Sequence, residues 1–237
     1  MDSDDVLYHF VGWGEPTNHE KNFETLCTIL ECMRVGRYPD DNPSAGIRLI
    51  IEAGRTPEKG ELIKQSISCF CDIPFDQLKI HTSKYGAFGV GVSRRMLTIF
   101  GARPVSYVPQ PRSRSDTWGH TLAQELRALV IGIQTHLHPS APFKEESSRT
   151  FGSELGSKEE VINCLESVFH RDLLAYLKFY DSDLPFDHPE NYLAEREWRK
   201  FLPMPLDISL SEIVIPSGYE EKFLARFPEH MEKLRML

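Results

Sequence analysis

Three short stretches of this chain carry residues whose types and spacing could do chemistry. The richest is Tyr192–Arg199, YLAEREWR. Read as a strand, its side chains alternate between faces. Leu193, Glu195, Glu197 and Arg199 then share one face, and Ala194, Arg196, Trp198 and Lys200 the other. The two carboxylates would stand about 7 Å apart along the strand, close enough to share acid–base or electrostatic work. Like charges that close raise each other's pKa unless a cation lies near, and Arg199 could supply it. The same pattern also suits a solvated edge strand with cross-strand ion pairs. Trp198 on the opposite face calls for packing there.

The second stretch is Leu7-Tyr8-His9-Phe10. His9 lies mid-strand among apolar neighbours. It reads either as a core histidine bonded to a backbone carbonyl or as a donor aimed into a cleft. The third is Ser83-Lys84-Tyr85-Gly86, leading into AFGVGVS. Tyr85 reads as a packed aromatic at a strand start or as a ring that stacks on a flat ligand. Gly86, Gly89 and Gly91 follow it, and glycine inside a strand often marks close approach of a ligand or another backbone.

Other chemistries lack their motifs. The chain contains no G-x-S-x-G, no P-loop, no H-E-x-x-H, and no G-x-G-x-x-G in a βαβ context. Cys69 and Cys71 fall on one face of a strand and read as buried small hydrophobes. No second Cys or His pair stands at ligand spacing to complete a metal site. No cofactor is called for on these grounds. The formal charge of −8 argues against non-specific nucleic-acid binding. Arg94-Arg95 and Arg112-Ser113-Arg114 read as solvated charge. No apolar run of membrane-spanning length occurs, the acidic N-terminus is unlike a signal peptide, and an odd cysteine count of five suits reduced thiols in a cytoplasm.

These residues must be positioned by a scaffold. A hydrophobic fraction of 41% over 237 residues is enough for a sizeable core. Strand patterns fall at Val6–Val11, Ile47–Glu52, Ile67–Cys71, Phe88–Val92, Val105–Val108, Tyr192–Leu202 and Leu210–Pro216. Helical spacing appears at His19–Arg34, capped by Asn18, and at Trp118–His138. Ser157 with Glu160 forms a capping box that opens a helix to about Phe179. Short amphipathic segments lie at Phe75–Ile80 and Arg94–Phe100, and a terminal helix at Gly218–Leu237. The order predicts an α+β fold with a mixed or antiparallel sheet, in one domain over 1–237 with a largely helical insertion at about 116–180.

Several of these segments resemble the AbiGi family of abortive-infection phage-resistance proteins. They are LYHFVG (7–12), ISCFCDIPFDQLKIHTSKYGAFGVGVSRRML (67–97), ARPVSYVP (102–109), YLAEREWR (192–199) and LSEIVIP (210–216). The resemblance implies a bacterial, cytoplasmic protein of phage defence, labelled an antitoxin or defence component. The order of elements also resembles the ADP-ribosyltransferase fold, in which a first strand ends in His or Arg, a middle region offers an aromatic and a late strand offers Glu. That resemblance implies NAD as a substrate. His9 would hold a ribose hydroxyl, Tyr85 would stack on nicotinamide with Gly86 making room, and Glu197 would stabilise oxocarbenium-like charge. Glu195 would orient the acceptor or act as base, with Arg199 in the substrate-binding set.

Two other functions fit the same residues. One is a non-catalytic antitoxin or sensor that binds a cognate defence-system protein. The other is a plain nucleotide-binding regulator. A transferase requires His9, Tyr85 and Glu197 to converge in one cleft. A binding module instead predicts Glu195 and Glu197 exposed or tied into ion pairs, and an apolar surface patch for its partner. The long helices could pack in a homodimer or against that partner.

Overall fold

A computed structural model of the chain describes residues 5–36, 50–51, 63–64, 67–109, 125, 128, 173–188 and 191–237. The chain divides into two compact units. The first comprises residues 1–36, 67–104 and 195–237, the second residues 37–66 and 105–194.

The first unit is built on a seven-stranded sheet. Its strands are β1 (Val6–Phe10), β5 (Ile67–Cys71), β6 (Gly89–Ser93), β7 (Arg103–Pro104), β10 (Glu197–Phe201), β12 (Leu210–Ile215) and β13 (Leu234–Met236). They lie in the order β13-β12-β6-β1-β5-β10-β7. Only the β12–β13 pair is parallel; the others are antiparallel. The fold is therefore α+β with a mixed, mostly antiparallel sheet, as the order of elements predicts. A small ladder, β2 (Arg34–Val35) with β11 (Met204–Pro205), stands beside it.

Alternation along β1 sends its residues to two different cores. Leu7, with Val90, Val92, Ile213 and Ile215, packs on Phe23, Leu26, Cys27 and Leu30 of α1 (His19–Glu31). The Asn18 side chain caps that helix by accepting from the Lys21 amide. Tyr8 and Phe10 face the other way, with Cys71 and Val214, onto Leu78 and the half-buried Phe75 and Tyr85. Those last residues come from a 3₁₀ turn (Phe75–Gln77) and from α2 (Lys79–Tyr85). The amphipathic segment expected at Phe75–Ile80 thus continues to Tyr85. Tyr85 ends a helix instead of starting a strand. The sharp exit from α2 is made by Gly86 at φ 85°, where a Cβ would meet the Val11 carbonyl at 2.9 Å.

In the second unit the described residues form two small ladders. β3 (Ile50–Ile51) runs antiparallel to β4 (Ile63–Lys64), and β8 (Ser106–Pro109) runs parallel to β9 (Leu177–Tyr180). Of the long helix expected at Trp118–His138 only residues 125 and 128 are described, and both are helical; most of that expected at Ser157–Phe179 lies outside the described residues.

Other expected elements differ more. The helix expected to reach Phe179 gives way before it, because Leu177–Tyr180 is a strand paired with β8. Leu, Phe and Tyr there satisfy either period, and the ladder decides. The terminal helix is short, α4 (Glu220–Arg226). Pro228 follows and disfavours a helical Phe227; a 3₁₀ turn then leads into β13, which pairs with β12. The strand expected at Tyr192–Leu202 begins only at Glu197. Asn191 accepts the Leu193 amide through its side chain and starts a 3₁₀ turn over Tyr192–Glu195. Arg196 then sits at φ 44°.

Candidate functional site

That left-handed residue separates the two carboxylates. Glu195 does not alternate with Glu197 along one strand but belongs to the turn before it. Its Oε1 accepts from Lys84 Nζ at 2.5 Å and from the Tyr85 hydroxyl at 2.6 Å. Both donors come from the last residues of α2. The Glu195 side chain is almost wholly buried, so a cation and a charge-assisted hydroxyl replace the water it has lost. The Tyr85 ring lies 4.5 Å from the His81 ring, and His81 in turn meets Phe10 at 5.5 Å. The tyrosine is thereby committed at its hydroxyl and covered on its ring.

Glu197 opens β10 opposite Cys71. Arg199 follows two residues on, on the same face, and its Nε donates to Glu197 Oε1 at 2.7 Å. The pair lies in the interior: Arg199 is 1% exposed and Glu197 5%. Two ions removed from water this far each gain from facing the other.

The register across the sheet fixes the other assignments. Tyr8 pairs with Cys71, and Cys71 with Glu197. Paired residues of antiparallel strands share a face. Tyr8, Cys71 and Glu197 therefore point one way, and His9 points the other. His9 instead lies 5.7 Å from the Phe70 ring, and its Nδ1 is 2.8 Å from the Cys69 carbonyl. Burial lowers its pKa below the usual histidine value, and the Cys69 carbonyl partly opposes that shift. Tyr85 meets Glu195 in one cluster. His9 and Glu197 do not meet in one cleft.

The glycines serve packing between strands. A Cβ on Gly89 would meet the His9 carbonyl at 2.6 Å and the Phe10 ring at 2.9 Å. One on Gly91 would meet Val6 at 2.7 Å and Tyr8 and Glu212 at 3.1 Å. These gaps admit neighbouring strands and the Tyr8 ring, whose hydroxyl donates to Glu212 Oε2 at 2.8 Å. Burial, together with that bond, raises the Tyr8 pKa. Cys71 is buried and its thiol pushed far up by desolvation, which keeps it protonated and inert. Among the described residues no group of three or more His, Cys, Asp or Glu could hold a metal ion, and no helix is long and apolar enough to cross a membrane.

Lys84 is the functional neighbour that the sequence pattern did not single out. Its signal was adjacency to Tyr85 at the end of an amphipathic segment, which gains meaning only once Glu195 is brought to it. Arg94, expected to be solvated, instead bridges Asp72 through both terminal nitrogens at 2.8 and 2.9 Å and Asp5 through Nε at 2.8 Å.

Residues 58–215 match the family model described as "Putative abortive phage resistance protein AbiGi, antitoxin". No curated protein and no solved structure matches the chain. The matched span covers more than half of the chain and includes α2, β6, Glu195 and the Glu197–Arg199 pair. The chain belongs to the AbiGi family.

Proposed function

We propose that this AbiGi protein is the antitoxin of a phage-defence pair, a non-catalytic module that neutralises a cognate toxic protein in the cytoplasm by binding it. One observation carries the choice between binding and catalysis. Both candidate carboxylates are bound within the chain, Glu195 to Lys84 and Tyr85 and Glu197 to Arg199. A transferase acid must present its oxygen to a ribose, and a carboxylate buried in an ion pair gives up that pairing before it can do so. The opposed faces of His9 and Glu197 also favour binding over NAD chemistry, since a shared NAD cleft would need them together.

The test is co-expression with the cognate toxic protein that this function requires. The expected result is restored growth and a complex that survives gel filtration. Release of nicotinamide from NAD by the wild type, lost in a folded Glu197→Gln variant, would overturn this function and restore the transferase.

A further inference from the structure

A cleft of about 620 Å³ opens in the first unit, away from the buried ion pairs. It lies where β1 begins and β6 ends, between α3 (Arg94–Ile99) and the turn before β12. Asp5, Ser93, Arg95, Ile99, Ile208 and Glu212 are among its walls. Its size falls in the range of small-molecule sites.

Its charges are unequally committed. Asp5 accepts from Arg94. Glu212 accepts from the Tyr8 hydroxyl and from Arg235 Nη1 at 3.2 Å. Arg95 is exposed and forms no hydrogen bond or ion pair among the described residues. The uncommitted charge of the cleft is therefore positive, in a chain whose overall charge is negative.

Its rim is apolar and rigid. Ile99 and Ile208 are 63% and 67% exposed. Ile208 rides on a turn closed by the Ser209 and Leu210 amides, which both donate to the Leu206 carbonyl at 3.2 and 3.0 Å. Ile99 rides on the last turn of α3, which ends in the Ala102 amide donating to the Leu97 carbonyl at 2.8 Å. Two large aliphatic side chains held in water by fixed backbone lose little entropy when covered. A small anion held by Arg95 would leave them wet. A protein surface would cover them.

We propose that this cleft docks an acidic segment of the cognate toxin, with an Asp or Glu of the toxin on Arg95 and a neighbouring large apolar residue packed over Ile99 and Ile208. The inference rests on the antitoxin function above and names its contact surface.

The experiment measures binding of the purified toxin to the full chain and three variants. Arg95→Glu is expected to weaken binding at least tenfold, chiefly through association and with a reduced salt dependence, an order of magnitude set by a reversed interface charge. Arg95→Lys should stay within about threefold, since the charge remains. Ile208→Asp should weaken binding by roughly tenfold or more, as loss of an apolar anchor does. Both positions are exposed, and unchanged circular dichroism and melting confirm that the variants fold. Unchanged affinity in both Arg95→Glu and Ile208→Asp would overturn the cleft while leaving the antitoxin function standing. No binding or neutralisation by the wild type would overturn both. Titration with ATP provides the small-anion arm. ATP binding lost in Arg95→Glu while toxin affinity is unchanged would reassign the cleft to a small anion and overturn the proposal.

Discussion

Arg199 and Glu197 sit two residues apart on β10, facing the same way, with guanidinium Nε donating to carboxylate Oε1 at 2.7 Å and both side chains shut away from water. Such a pair is strongly interdependent. Removing one ion of a buried pair typically costs about 3–5 kcal/mol. Arg199→Met is therefore expected to lower unfolding free energy by about that amount. Glu197→Gln with Arg199→Met should cost less than the sum of the two single changes. Urea unfolding of the two singles and the double checks this. Additive costs would show that the two side chains do not depend on each other.

Tyr85→Phe isolates the second polar cluster. It removes one donor to Glu195 Oε1 and keeps the ring beside His81. A hydrogen bond to a charged acceptor is worth about 1.5–3 kcal/mol. The loss of stability should fall in that range, with binding of the toxin unaffected. Calorimetric melting together with the binding assay reads both. A loss of binding at unchanged stability would mean that the Tyr85 hydroxyl faces a ligand.

The glycines of β6 give a prediction of opposite spirit to the one their pattern invites. A Gly-bearing strand suggests room for a ligand, but a methyl on Gly91 would strike Val6, Tyr8 and Glu212. Gly89→Ala and Gly91→Ala should each destabilise by about 1–3 kcal/mol, the usual cost of overpacking. Chemical denaturation measures this. A Gly91→Ala protein of wild-type stability would show that the strands can move apart to admit a side chain.

The sequence was most legible where one period dominated. Val6–Phe10, Ile67–Cys71 and Leu210–Ile215 read as strands, and Phe23, Leu26, Cys27 and Leu30 as one helix face, because burial enforces the alternation or the 3.6-residue repeat. The candidate site was harder. Glu195 and Glu197 share a strand face only while the chain between them stays extended. Arg196 in the left-handed region breaks that, and an arginine gives no warning of it. Nor does His9 show which way it points relative to Glu197 until the β1–β5–β10 register is set, because a one-residue shift would exchange faces. Lys84, 111 positions from Glu195 along the chain, shows its role only through the fold.

His9 makes the last case, and its sign can be worked out. Burial lowers its folded pKa below the unfolded value, which lies near 6.5. Between those two values the unfolded chain binds a proton that the folded chain refuses. Unfolding therefore becomes easier as pH falls, and the stabilisation is fully present only above the unfolded pKa. Asparagine can place an uncharged N–H near the Cys69 carbonyl that Nδ1 now meets at 2.8 Å. A His9→Asn protein should thus lose less stability than the wild type between about pH 7 and about pH 5, even if it melts lower at neutral pH. Melting curves across that range decide it. Parallel pH profiles for the two proteins would mean that His9 titrates freely, as a side chain open to solvent would, and would reopen a role for it in a cleft.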